Sequence, residues 1–256
     1  MYEMHGKVLL VTGASSGIGR ATAIKFASAG AHVALVARRA DQLAQVAHEI
    51  ERGGGRAQAI VADVTREADI ERAVRETVQA FGGIDVLVNA AGIIASGSIE
   101  TTQLQDWDYM MNVNVRAPFY LIQRALPHLI ERQGDIVNVS SVTGLRAFPG
   151  ILAYCASKAA LDQLTHCVAL EVASKGVRVN AVNPGLVVTS LHRTSGMDET
   201  AYDQFLERGK TTHPLGRVGQ PDEVAELILF LASPKAGWIT GASYSIDGGR
   251  AQTCAR

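Results

Sequence analysis

The chain has 256 residues, of which 47% are hydrophobic and 19% charged, a size and composition that suit one α/β unit around a single large core. Its formal net charge of −1 leaves no basic surface for nucleic acid or an anionic membrane, so the expected partner is a small molecule. Cys155, Cys167 and Cys254 form no CxxC pair and the seven histidines no HxH or HExxH pattern, which argues against a disulfide framework and against any metal site. No apolar run approaches the ~18 residues that span a bilayer. The start, Met1 to Lys7, has no basic segment followed by an apolar one, and a cytoplasmic protein is expected.

Short β-branched runs recur at Lys7–Thr12, His32–Ala37, Ala57–Ala62, Ile84–Asn89, Asp135–Ser140, Val177–Val182 and Ser243–Ile246, each of a length that suits a buried strand. Between them, helical periodicity marks Ile18–Ala29, Ala40–Arg52, Glu67–Ala80, Leu104–Arg132, Tyr154–Ser174 and Pro221–Leu231. Strands alternating with helices predict right-handed crossovers and a doubly wound, mostly parallel seven-stranded sheet, with no linker to divide residues 1–256 into more than one domain. Ser190–Gly219 is polar and mixed, with no clear strand or helix, and reads as a substrate-binding loop or lid.

The first strand runs into Thr12-Gly13-Ala14-Ser15-Ser16-Gly17-Ile18-Gly19, which opens a helix. Gly13 allows a tight turn, Gly17 lets backbone approach a pyrophosphate, and Gly19 permits close helix–strand packing, so the expected ligand is a dinucleotide held at the helix N-terminus. Further on, Tyr154 and Lys158 lie four apart in a helical stretch and share a face. A free tyrosine ionises at roughly pH 10, and an ammonium nearby stabilises phenolate, so Lys158 is expected to lower the Tyr154 pKa toward values useful in acid–base work. A hydroxyl from Ser141, at the end of the preceding strand, would hydrogen-bond the same oxygen.

These residues stand in an order that resembles the short-chain dehydrogenase/reductase family over nearly the whole chain. The motifs are Thr12-Gly13-x-x-x-Gly17-x-Gly19, Asp63-Val64, Asn89-Ala90-Ala91-Gly92, Asn114, Ser141, Tyr154-x-x-x-Lys158, Asn183-Pro184-Gly185 and Asp247-Gly248-Gly249. The resemblance implies a Rossmann fold and hydride transfer between a nicotinamide dinucleotide and a carbonyl or secondary alcohol. In it, Tyr154 is the general acid/base and Ser141, preferred to Ser140 for its spacing from the tyrosine, stabilises the oxyanion. Lys158 both lowers the tyrosine pKa and binds the nicotinamide ribose. Asn114, chosen over the competing Asn112 because it heads the matching Asn-Val segment, orders a water linking Lys158 to bulk solvent.

The resemblance also implies a cofactor cradle. Gly13, Ser15, Ser16, Gly17, Ile18 and Gly19 line the pyrophosphate, while Asp63 and Val64 receive the adenine. Asn89, Ala90 and Gly92 pack under its ribose, and Pro184, Gly185, Val187 and Thr189 hold the carboxamide. Asp63 alternatively serves only as a helix N-terminal cap. The cofactor is chosen at the end of the second strand, where an acidic residue would bind a ribose 2′-hydroxyl. Here Ala37-Arg38-Arg39 offers guanidinium instead, which predicts NADP(H) over NAD(H), with Arg38 on the 2′-phosphate and Arg39 turned to solvent. The pattern lies nearest the β-ketoacyl reductase-like branch. It implies a homotetramer paired through Leu104–Arg132, Tyr154–Ser174 and the strand near Ala242–Gly249. The competing readings are a non-catalytic nucleotide sensor or scaffold of the same fold, and a lyase or epimerase using bound nicotinamide without net turnover.

Overall fold

The computed structural model describes residues 4–253, without the side chains at 192 and 194; Cys254 and the side chain of His192 lie outside the described residues. The chain alternates β1 (Val8–Thr12), α1 (Gly17–Ser28), β2 (His32–Ala37), α2 (Ala40–Arg52), β3 (Arg56–Val61), α3 (Glu67–Phe81) and β4 (Val86–Asn89). It continues through α4 (Leu104–Met111), α5 (Ala117–Arg132), β5 (Asp135–Val139), α6 (Val142–Leu145), α7 (Leu152–Val172) and β6 (Arg178–Pro184), then α8 (Leu191–Thr194), α9 (Glu199–Thr212), α10 (Pro221–Leu231) and β7 (Ser243–Ile246). All seven expected strands are present, and they form one parallel sheet in the order β3-β2-β1-β4-β5-β6-β7.

The strand sequences dictate this packing. Successive side chains of β1 point to opposite faces, so Leu9 and Val11 join one core with Phe26, Leu43 and Ile228, while Leu10 joins the other with Ile70, Leu121 and Val179. Helices α1, α2 and α10 therefore cover one face, and α3, α5 and α7 the other. The central strands are buried throughout, whereas β3 at the edge alternates between exposed and partly covered positions. Asp85, just before β4, donates its backbone N–H to Val8 O at 3.0 Å, and its carboxylate accepts from Val8 N at 3.0 Å and from Lys7 Nζ at 2.8 Å.

Two expectations are corrected. The run Leu104–Arg132 is not one regular helix: residues Asn112–Arg116 form a π-helical turn between α4 and α5. Such a turn inserts one residue into the helical register and swings a side chain to a new direction, here that of Asn114. Residues 190–219 are not irregular either, since they hold α8 and the 14-residue α9, whose N-cap Asp198 accepts from Ala201 N at 2.8 Å. That helix buries Tyr202 and Gly209 and leaves most of its surface polar, too weak an apolar stripe to stand out in sequence.

Phe26 sits fully buried where α1 meets the sheet. Phe26→Ala should lower stability by about 3–5 kcal/mol, read as a lower urea midpoint at unchanged m-value; a midpoint within error of wild type would mean that this face of the core is misassigned.

Candidate active site

The sheet order reverses direction between β1 and β4, which opens a crevice beyond the carboxyl ends of these strands. The glycine turn closes one side of it. Gly13 has φ +67°, and a Cβ there would stand 2.9 Å from Ala90 O and from Ala91 N; a Cβ on Gly19 would stand 2.4 Å from Gly13 O. Only glycine fits either position. Thr12 Oγ1 accepts the N–H groups of Ala90 and Ala91, both at 3.1 Å, so the segment Asn89–Gly92 is fastened directly to the turn.

Helix α1 starts at Gly17 with no side-chain cap and no acidic residue in its first turn, leaving its amino end to face an anion. The Ser16 hydroxyl is turned elsewhere: it accepts from Arg39 Nη2 at 2.9 Å and from Ser190 Oγ at 3.2 Å. Arg39, which is solvent-exposed as expected, also donates to Ser15 Oγ at 3.1 Å, so its guanidinium reaches over the turn, while Arg38 donates to Tyr109 Oη at 3.2 Å. A cavity of about 740 Å³ covers this region, with Ser15, Ser16, Gly17, Arg39, Thr189 and Ser190 on its walls. Free helix N–H groups, glycines that admit close backbone approach, two hydroxyls and a fixed cation together fit the phosphates of a dinucleotide. Asp63 accepts from Thr65 N and Oγ1 at 2.9 and 2.8 Å, so its carboxylate shapes the turn into α3 beside the place expected for adenine.

The other side of the crevice is built by β5, α6 and α7. Ser141 caps α6, and its Oγ accepts from Thr143 N at 3.2 Å. Its own hydrogen is then available to another acceptor, and Ser141 stands near enough to the phenol of Tyr154 to ease its ionisation. Ser140, the rejected alternative, points into the protein and donates to Lys158 O at 3.2 Å. Tyr154 and Lys158 are buried one turn apart on α7, with Lys158 Nζ 5.7 Å from the centre of the Tyr154 ring and donating to Val139 O at 2.8 Å.

The expected lowering of the Tyr154 pKa by Lys158 is not met here. Burial pushes the phenol up to about 12, with the Ser141 side chain as the opposing influence. Burial likewise pushes Lys158 down to about 8, opposed by the negative charge of Asp162. At neutral pH both therefore hold their protons.

Asn114 lies fully buried beside the same pair: a Cβ on Gly92 would be 3.4 Å from its Oδ1 and 3.5 Å from Lys158 Nζ. The competing Asn112 instead accepts from Arg116 on the protein surface. Asn114 Oδ1 accepts from Ile93 N at 2.9 Å, and Nδ2 faces Ile93 O and Ser157 Oγ, both at 3.0 Å. Its two N–H groups are thus committed to protein acceptors, and the amide ties the Gly92–Ile93 segment to α7, where it had been expected to hold a water.

The segment after β6 lies across the crevice. Leu186 N donates to His213 Nε2 at 3.0 Å, and Tyr202 Oη donates to Thr189 O at 2.8 Å while accepting from Thr189 N at 3.2 Å. These contacts leave the main chain of Val187 and the Thr189 side chain on the crevice side of a fastened strap. Sequence reading placed Thr12 in the glycine-turn motif without giving it a role, and missed Asp162 as a member of this neighbourhood. The signal for Asp162 was a carboxylate four residues after Lys158 on a helix otherwise rich in Ala and Leu.

Known proteins share this arrangement. Residues 13–251 match the family model described as enoyl-(acyl carrier protein) reductase. The chain is 42% identical to the 3-oxoacyl-[acyl-carrier-protein] reductase FabG of Thermotoga maritima over 248 residues, which cover 96% of this chain and 98% of that one. It is 39% identical to the meso-2,3-butanediol dehydrogenase of Serratia marcescens, over 96% of this chain and 95% of the relative. Among solved structures, a short-chain dehydrogenase/reductase from Caenorhabditis elegans, crystallised with cofactor, superposes with a TM-score of 0.93 at 35% identity, covering 98% of this chain and 97% of that one. With its motifs, its sheet order and relatives matched end to end, the chain belongs to the short-chain dehydrogenase/reductase family of oxidoreductases.

Proposed function

We propose that this protein transfers a hydride between NADP(H) and a ketone/secondary alcohol pair, with Tyr154 as the proton donor and acceptor. The observation that carries this reading is the meeting of the Ser141 and Tyr154 oxygens beside Lys158, on the wall of a crevice whose other wall fits a dinucleotide. A pure nucleotide holder has no use for a buried phenol next to a buried ammonium.

The nicotinamide ring, when bound, supplies or accepts the hydride. In the reductive direction Tyr154 gives its proton to the carbonyl oxygen, and the Ser141 hydroxyl, its Oγ already accepting from Thr143 N, donates to that same oxygen as charge develops. Burial keeps the phenol protonated and ready to give. The phenolate left behind is stabilised by the Lys158 ammonium, which is still charged at pH 7. Lys158, whose Nζ would lie 3.5 Å from a Cβ on Gly92, would also hold the nicotinamide ribose when the cofactor is bound. Oxidation of the alcohol reverses these roles, so the proton then moves from alcohol to Tyr154.

The substrate is proposed to be a small or acyl-chain ketone, as the names of a 3-oxoacyl thioester reductase and a butanediol dehydrogenase among the relatives suggest. Tyr154→Phe should keep NADPH binding within about twofold, by fluorescence titration, while turnover of 2,3-butanedione or acetoacetyl-coenzyme A falls by about two orders of magnitude or more. Near-wild-type turnover in that variant would remove Tyr154 from the reaction.

For the cofactor, the two guanidiniums at the end of β2 support a 2′-phosphate site, and Arg39 already shares the Ser15 and Ser16 hydroxyls that would complete it. KM for NADPH should be lower than for NADH. Replacing both Arg38 and Arg39 with Ala should raise KM for NADPH about 10–100-fold, the worth of lost charge-assisted hydrogen bonds, and leave that for NADH nearly unchanged. A wild-type enzyme with the lower KM for NADH would reverse this assignment.

A further inference from the structure

Among the buried residues of α7 only Lys158 and Asp162 carry charge, and the reaction as proposed uses only the first. Asp162 is 5% exposed and sits where four elements meet. Its Oδ2 accepts from Asn183 Nδ2 at 2.9 Å, at the end of β6, and its Oδ1 more loosely from Ser243 Oγ at 3.5 Å, on β7. Helix α6 presses against Asp162 directly: a Cβ on Gly144 would stand 2.2 Å from Oδ2 and 3.0 Å from Lys158 O, so no residue larger than glycine fits.

The amide of Asn183 is the connecting piece. Its Nδ2 has two hydrogens, and they go to Asp162 Oδ2 and to Ser141 O, at 2.9 and 3.0 Å. A backbone carbonyl accepts only, so the amide cannot be turned over without setting one oxygen against another, and its orientation is fixed. Asn183 is fully buried, which leaves water no access to replace either bond. The backbone of Ser141 is thereby held from behind by Asn183, Asn183 is held by Asp162, and α6, which Ser141 caps, is seated on the same carboxylate.

We propose that Asp162 is a positioning residue: through Asn183 and through its contact with α6 it fixes the Ser141 hydroxyl at the distance from Tyr154 that proton transfer requires. It touches neither substrate nor cofactor. The inference rests on the role proposed for Ser141, and the two are separable in one experiment.

The test is a double-mutant cycle with the better ketone of the two named above. Asp162→Ala should lower kcat roughly tenfold and leave the NADPH dissociation constant within about twofold. Asp162→Asn, which still offers Asn183 an acceptor oxygen, should restore kcat to within about threefold of wild type. In a Ser141→Ala background, Asp162→Ala should cost less than about twofold further, because the group it positions is gone. Independent, multiplying losses in the double variant would overturn the proposal, as would a loss in Asp162→Asn equal to that in Asp162→Ala. Should Asp162→Ala not fold, Asn183→Ala takes its place in the same cycle and is judged by the same outcomes. If Ser141→Ala alone leaves kcat intact, the proposed catalytic role of Ser141 and this inference fall together; if it lowers kcat about a hundredfold and the losses multiply, only Asp162 is misassigned.

Discussion

How closely the ends of β1 and β4 approach one another governs everything built above them. The two strands lie side by side, but the chain leaves them in opposite directions, and a crevice opens where they part. The Thr12 hydroxyl holds the two exits together by accepting two N–H groups from the Ala90–Ala91 backbone, and Gly13 leaves no side chain between them. A wider gap would carry Gly92 away from Lys158 and Asn114, and the turn that faces phosphate would lose its fixed distance from the wall that carries Tyr154. The smallness of Gly13, Ala90, Ala91 and Gly92 is therefore one requirement expressed at four positions.

A second constraint runs behind the crevice in the form of buried amides and hydroxyls. Asn89 Nδ2 donates to Asn138 Oδ1 and Asn138 Nδ2 to Thr165 Oγ1, both at 2.8 Å, which links β4, β5 and α7 in a row. Asn183 and Asp162 continue the polar layer toward β6 and β7. An apolar core would fill this volume with less desolvation cost, since each buried polar group left unpaired costs about 1–3 kcal/mol. What the polar layer adds is direction: a hydrogen bond fixes an angle as well as a distance, and the Ser141 and Tyr154 oxygens need both. Two polar atoms in this layer, Asn183 Oδ1 and Thr143 Oγ1, have no protein partner, and both belong to residues that bond Ser141.

The sheet was legible in the sequence because parallel strands covered on both faces read as near-continuous apolar runs, and β1 and β4 are apolar up to their last residues. That Tyr154 and Lys158 share a face was legible from their helical spacing, whereas the choice of Ser141 over Ser140 came from the family resemblance. What sequence could not supply depends on packing. The π-turn at Asn112–Arg116 leaves the apolar period nearly intact, so Leu104–Arg132 reads as one helix, yet the extra residue is what aims Asn114 at Ile93 and Ser157. The pKa of Tyr154 was judged from its charged neighbour, when burial outweighs that charge. Arg38 and Arg39 are adjacent, and a residue pair in extended backbone sends its side chains opposite ways; which one faces the turn is decided by where Ser15 and Ser16 stand, 23 or 24 positions earlier in the chain.

The candidate site residues and the segment beyond β6 are held in different ways. Tyr154, Lys158 and Ser141 stand on α7 and at the head of α6, inside the polar layer, whereas α8 and α9 lie on a surface arm joined to the body at a few points. Two of those points are aromatic. Tyr202 is wholly buried with its hydroxyl bonded to both polar groups of the Thr189 backbone, and His213 accepts from Leu186 N through Nε2 while Nδ1 faces Gly209 O at 2.8 Å. That pairing requires the hydrogen on Nδ1 and a bare Nε2, so the ring is held in one tautomer. The arm and the strap Pro184–Thr189 are consequently one mechanical piece, and any motion that admits a ligand beneath α9 must also move the main chain that faces the crevice.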